Sequence, residues 1–403
     1  MSLLPVEEAL RRILDGVKPK PAETVRLDDA LDRVLAADIA AKRTQPPWNT
    51  SAMDGYAVRA ADVETVPMRL KVIGAAPAGH PFAGTVGPGE AVRIFTGAPL
   101  PAGADAIVIQ EDTERDGDDV VVRESPGVGH FVRRRGLDFA EGDVLLTAGR
   151  RADPRIVALA AAMNHAELPV HRRPRVAILA TGDELAAPGT DPGPDRIVAS
   201  NSYGVAGMVR HAGGTPVDLG IARDERDMLA AAVARARESD ADVLVTLGGA
   251  SVGEHDIVRD VLVGEGLSLG FWRIAMRPGK PLMFGTFGGA RFLGLPGNPV
   301  SAMITARLFL VPLVHALTGL KETTSGETSG RLGADLAEND RRQDYLRATT
   351  RVDPDGTLVV TPFGKQDSSM LSTLARADAL VVRAPFAPAA KAGETCRVLR
   401  MDF

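Results

Sequence analysis

The spacing of apolar positions changes several times along the chain. Leu10, Ile13, Leu14 and Val17 recur at helical intervals, as do Leu31, Val34 and Leu35, so the first forty residues are predicted to be helical. From Thr44 to Asp138 the pattern shortens. β-Branched runs such as "RLKVIG", "AIVIQ" and "DVVVR" alternate with proline and glycine turns, which predicts a small β-rich domain. The helical interval returns in "DPRIVALAAAM", so the β-rich part reads as an insertion into a helical segment.

From Arg175 the rhythm is strand, helix, strand. "RVAILA", "ADVLVTL" and "RFLGL" are near-continuous apolar strands. Between and after them, "SNSYGVAGMVRHAGG", "DERDMLAAAVARARE" and "VSAMITARLFL" carry helical spacing, the first stopping at a glycine pair and the second opening on Asp224 as N-cap. Such an alternation predicts a parallel sheet covered on both faces. Ligands bind beyond the carboxyl ends of such strands. "TGDE", "GGASVGEHD" and "LPGNP" each follow a strand and are expected on one rim. "KETTSGETSG", at 321–330, is polar and small and reads as a linker. Beyond it, "YLRATTRV", "TLVVTPF" and "ALVVRAPF" predict a terminal β domain.

Composition narrows the class. At 403 residues the chain exceeds one ordinary core, and 45% hydrophobic with 25% charged residues is usual for a globular protein. The net charge of −5 implies no general attraction to nucleic acid. One cysteine, Cys396, excludes disulfides within the chain and a cysteine-rich zinc site; it is expected to be a buried small residue, in a protein of the reducing cytoplasm. The opening "MSLLPVEEALRRIL" is not read as a signal peptide, and no stretch approaches the ~18 uninterrupted apolar residues of a membrane helix.

The candidate chemistry begins in "TLGGASVGEHD". Gly248 and Gly249 let backbone N–H groups approach an anion and Ser251 adds a hydroxyl, yet the run closes on the carboxylate of Asp256. Asp256 and Asp224 can be plain helix caps. Alternatively, a divalent cation between these carboxylates and a phosphate removes the repulsion. In "LPGNPVSAM", Asn298 suits an N-cap and Pro299 the first turn; the helix start serves either a structural cap or an anion. "FWRIAMRPGKPLMFG" sets Arg273, Arg277 and Lys280 in a proline-stiffened loop suited to a small oxyanion. "HFVRRRGLD" is a solvated basic run in which Asp138 stands out, and Asp54 in "SAMDGYAV" by itself reads as turn chemistry.

Taken in order, "PPWNTSAMDGYAV", "TGAPLPAGADAIV", "TGDEL", "GGASVGEHD", "RPGKPLMFG" and "LPGNPVSA" closely resemble the molybdopterin molybdotransferase family over nearly the whole chain. The resemblance implies a multidomain α/β protein. It would have a three-layer, parallel-sheet (Rossmann-like) central domain at 173–320, an inserted β-rich domain at 44–138, a helical or extended linker domain from 1–43 and 139–172, and a small β-barrel-like domain at 328–403. It implies insertion of molybdate into adenylylated molybdopterin with release of AMP, assisted by Mg²⁺, in a homodimer whose site forms across the subunit contact. Neither nucleic acid nor membrane is an expected partner; a molybdopterin adenylyltransferase is the expected upstream one.

Carried over by motif, Asp54, Thr96, Asp138, Glu184, Asp224 and Asp256 match active-site positions. Asp224 and Asp256 resemble the metal and anhydride-cleavage carboxylates. Gly248, Gly249, Ser251, Arg273 and Asn298 fall among substrate contacts, and Arg277, Lys280, Arg347 and Ser368 match a molybdate pocket. Arg273 and Arg277 stand where the family often has lysine, and Ser369 where it often has glycine. Two other functions compete: adenylyl transfer to molybdopterin, which the sheet domain resembles, and a gephyrin-like scaffold for a protein partner, whose extra partner-binding regions have no counterpart here.

Overall fold

The computed structural model describes residues 3–249, 257–321 and 326–401. Its centre is a six-stranded sheet in the order Thr215–Ala222, Arg175–Thr181, Val243–Leu247, Ala290–Leu295, Met283–Phe287, Leu267–Trp272. The first four strands are parallel. The last two are antiparallel, so the expected all-parallel sheet is in fact mixed. The cause lies in a two-residue turn. Gly288 and Gly289 both take positive φ (56° and 91°), which folds Met283–Phe287 back on Ala290–Leu295 as a hairpin.

Both faces of this sheet are covered. Helices Arg226–Glu238 and Ile257–Gly264 pack Leu229, Val233, Val258 and Leu262 on one side. Helices Val6–Leu14, Asn201–His211 and Pro299–Thr318 fill the other. Pro299–Thr318, 20 residues with a mean hydropathy of 1.8 over an 18-residue window, is long and apolar enough to cross a membrane, but Val300, Ile304, Phe309 and Leu313 are buried in this core. Its middle, Ala306–Leu310, widens into a π turn just before Pro312, which lacks the N–H a regular turn needs.

Asp224 does not cap its helix. The helix starts at Arg226 with Glu225 at the cap position, and the Asp224 N–H instead donates to Asp183 Oδ1 at 3.2 Å.

Among the described residues of the first forty, the α-helix spans Val6–Leu14 alone, with one 3-10 turn at Leu27–Asp29. Pro19 and Pro21 end that course, and Ala22–Arg26 pairs as a strand with Glu167–His171. Leu31 is exposed, and Val34 and Leu35 form extended bridges to Arg151 and Val170. Two short antiparallel pairs follow, Ile39–Ala40 with Val144–Leu146 and Thr50–Ser51 with Val132–Arg133. These carry the chain out to a second six-stranded sheet and back. That sheet runs Ala106–Ile109, Gly55–Val58, Glu90–Ile94, Met68–Ala76, Asp119–Val122, Thr113–Asp116. Asp242, whose side chain is 8% exposed, ties the outgoing and returning segments to the central sheet. It accepts from Lys20 Nζ at 2.6 Å, Arg172 Nη2 at 2.9 Å and the Arg175 N–H at 2.7 Å.

The C-terminal strands Gln343–Val352, Leu358–Pro362, Glu327–Leu332, Thr395–Arg400 and Ala379–Arg383 close into a small barrel, the last pairing back on the first. Glu327–Leu332 claims the end of the polar run expected to be linker, pairing antiparallel with Thr395–Arg400, with Glu327 ion-paired to Arg397 at 3.0 Å. Cys396 is partly buried in this barrel, and burial pushes its thiol up. Tyr345, Leu380, Val382 and Leu399 pack outward into the core shared with Pro299–Thr318, so barrel and central sheet share one apolar mass.

Candidate active site

Four strand ends meet at one cleft of about 600 Å³. Thr181 ends one strand, with Gly182 and Glu184 just after it; Asp224 follows another, Gly248 and Gly249 a third, and Pro296, Gly297 and Asn298 a fourth. The expectation of a common rim is met for these described residues; Ser251 and Asp256 lie outside them. Gly248 is required by geometry. Its φ is +99°, and a Cβ there would stand 2.6 Å from the Thr181 carbonyl oxygen.

Two helix starts point at the same space. Ser200, Asn201 and Ser202 line it at the head of Asn201–His211, and Asn298 and Pro299 at the head of Pro299–Thr318. The positive dipole ends of two helices favour an anion between them. The Asn201 side chain donates to Gly297 O at 2.7 Å and fixes the two heads relative to each other. Sequence reasoning placed Thr181 on the rim within "TGDE" but missed Ser200 and Asn201. The polar "ASNS" directly before an apolar helix was the available signal.

The barrel closes one wall. Asn298 Nδ2 donates to Ser368 Oγ at 3.0 Å, the Val300 N–H donates to Ser368 O at 3.0 Å, and Ser369 lines the cleft. Arg347 is buried behind this loop. Its Nε donates to Gln366 Oε1 at 3.2 Å and its Nη1 to Met370 O at 3.1 Å, while Nη2 has no partner among the described residues. Burial pushes this guanidinium below its ordinary range, against the pull of Asp367. Lys280 is partly buried and makes no hydrogen bond or ion pair with its side chain among the described residues; Pro281 beside it lines the cleft.

The other expected residues sit elsewhere in the single chain. Arg277 is ion-paired with Asp344 and, at 3.5 Å, Asp340. Arg273 lies over the Trp272 ring at 5.2 Å, its Nε without a hydrogen-bond partner among the described residues. Neither lines the cleft. Asp54 and Thr96 meet in the inserted sheet, where Asp54 Oδ1 accepts from the Thr96 N–H at 2.7 Å and hydroxyl at 2.8 Å. Those two bonds hold Asp54 below the ordinary carboxylate range. Asp138 is exposed after the basic run, its N–H donating to Gln45 O. These three acidic and hydroxyl positions do not line the cleft within one copy.

Family models match three consecutive parts of the chain. The MoeA N-terminal region (domain I and II) matches residues 4–164, a probable molybdopterin binding domain 177–316, and the MoeA C-terminal region (domain IV) 329–401. The chain is 33% identical over 399 residues to a molybdopterin molybdenumtransferase of Haemophilus influenzae, with 98% of each chain covered. It is 35% identical over 404 residues to that of Bacillus subtilis, covering 98% of this chain and 94% of the relative. The crystal structure of the molybdopterin biosynthesis MoeA protein from Pyrococcus horikosii superposes over 100% of both chains with a TM-score of 0.84 at 31% identity. With its motifs, its cleft and its closed barrel in agreement, the chain belongs to the MoeA family of molybdopterin molybdenumtransferases.

Proposed function

We propose that the cleft binds adenylylated molybdopterin through its phosphoanhydride, and that molybdate enters the dithiolene as AMP leaves, giving molybdenum cofactor. The observation that carries this reading is the convergence of two helix N-termini and the Gly248–Gly249 turn on one cleft, with a polar loop of the barrel as its wall. A phosphate of the substrate fits between the helix heads, where Asn298, Ser200 and Asn201 orient its oxygens. Glu184, at the rim, is placed to hold a proton at its carboxyl oxygen during cleavage. Arg347 and Lys280 supply positive charge, and Ser368 a hydroxyl, to the oxyanion at the barrel wall, with Arg277 on the same loop and Arg273 behind it.

Asp224 and Asp256 are the proposed Mg²⁺ ligands. Asp224 offers a hard carboxylate oxygen at the rim; Asp256 lies outside the described residues. No group of three His, Cys, Asp or Glu side chains forms a metal cage among the described residues. That fits an ion held by one or two carboxylates and completed by substrate phosphate and water. When bound, Mg²⁺ offsets negative charge on the anhydride. Asp54, Thr96 and Asp138 are proposed to enter the cleft of a second copy, forming a homodimer with two composite sites. We also assign the domains as 1–43 with 139–172, 44–138, 173–320 and 328–403. The location is cytoplasmic, and a molybdopterin adenylyltransferase is the upstream partner.

Single-turnover release of AMP from adenylylated molybdopterin tests the reading. Release that requires both molybdate and Mg²⁺ supports it, and release indifferent to both overturns it. Incorporation of AMP from ATP into molybdopterin would place the chain at the adenylylation step instead.

A further inference from the structure

We propose that Arg277 is a positioning residue, which locks the 277–281 loop onto the barrel through Asp344 and does not itself ligate the oxyanion. This rests on the reading of that wall as the molybdate site. Met276–Arg277 is a two-residue strand added in parallel to the barrel strand Gln343–Val352, with Arg277 in register with Asp344. The Gln343 N–H donates to Ala275 O at 2.8 Å across the same seam. From this strand the guanidinium fork reaches three acceptors of the barrel: Asp344 Oδ2, Asn339 Oδ1 at 3.4 Å and Asp340 Oδ2 at 3.5 Å. The planar guanidinium presents its N–H donors as a preorganised fork, where an ammonium is a point charge.

Asp344 is the reason the arrangement is asymmetric. Its side chain is 4% exposed, against 47% for Arg277, and its Oδ1 has no hydrogen-bond partner among the described residues. Arg277 is the one cation ion-paired with this buried carboxylate among the described residues. An oxyanion drawing Arg277 away would leave a buried charge uncompensated, which is strongly unfavourable. The guanidinium of Arg277 is already committed to Asp344 and, at 3.5 Å, to Asp340, which also pairs with Arg342 at 2.7 Å, whereas Pro281, four residues on, reaches the cleft. Arg277 therefore fixes where Lys280 and Pro281 stand.

The test is calorimetric titration of sodium molybdate into the full chain carrying Arg277→Gln, Asp344→Asn, or both. A locking role predicts that each single variant weakens binding by about threefold to tenfold and that the double is no worse than either, since both remove the same contact. A direct ligand predicts opposite signs: Asp344→Asn frees the guanidinium and tightens binding, while Arg277→Gln loses more than tenfold. Opposite signs, or no change in either single variant, overturn the inference. If a single variant does not fold, the double, which strands no charge, decides: a loss within about tenfold supports the lock, and a larger loss or none overturns it. Wild-type chain that binds no molybdate would defeat the functional reading instead, and is thereby told apart.

Discussion

Asn298, at the head of the core helix, hydrogen-bonds side chain to side chain with Ser368 of the barrel at 3.0 Å. The Asn298 side chain makes no cap bond to its own helix; the Ser368 carbonyl takes that part by accepting from the Val300 N–H. One loop of the barrel thus closes the helix end and forms the wall of the cleft.

Asn298→Ala separates these two roles. The Ser368 carbonyl cap remains, so stability should fall by only about 1 kcal/mol, the size of one exposed hydrogen bond. Substrate contact and wall alignment are both lost, and the single-turnover rate should fall at least tenfold. Thermal unfolding measured beside AMP release checks the split; a rate near wild type would remove Asn298 from the site.

Gly248→Ala forces a Cβ to 2.6 Å from the Thr181 carbonyl in a backbone held at φ +99°. The strand ends must separate or the turn must flip, at a cost of roughly 1–3 kcal/mol. Binding of the pterin phosphate should weaken more than global stability does. Equilibrium binding alongside a denaturant melt would show this, and equal losses in both would argue against a phosphate role for the turn.

His315 links pH to stability. Burial, then the charges of Arg151 and Arg307 and the neighbouring His211, pull its imidazole down to about 4 from an ordinary 6.5. The folded chain holds it neutral, with Arg151 Nη2 3.4 Å from its Nε2, while the unfolded chain protonates it near 6.5. The stability it contributes is complete above pH 6.5 and is lost as pH falls from there through about 4, up to roughly 3 kcal/mol in total. His315→Phe should flatten the stability profile across that window in urea melts, leaving the carboxylate-driven loss at lower pH.

Composite sites predict complementation. Asp54→Asn and Asp224→Asn chains should each be inactive alone. Unfolded and refolded together, they should regain about a quarter of the wild-type sites, because half of the dimers are mixed and each mixed dimer holds one intact cleft. No recovery, with dimers confirmed by sedimentation, would place Asp54 outside the cleft.

Local pattern alone determined much of this protein. Arg175–Thr181, Val243–Leu247 and Ala290–Leu295 are apolar on both faces, and each is followed by glycine or a polar loop, so strand identity and the common rim were legible without coordinates. Family motifs marked Asp224, Asn298 and Arg347 before their surroundings were known. What the chain could not disclose locally is anything set by pairing partners far away in sequence. Helical spacing at Leu31, Val34 and Leu35 was overruled by bridges to Arg151 and Val170, because ladder bonds and shared burial outweigh a weak local propensity. Gly288 and Gly289 reversed the sheet edge, a turn readable only once its flanking strands were known to pair. Arg277 looked like a free cation because Asp344 is 67 residues away; only the closing of the barrel against the central sheet made the two neighbours and neutralised the charge. Short-range periodicity is fixed by covalent order, but charge balance and caps depend on which distant surfaces are buried together.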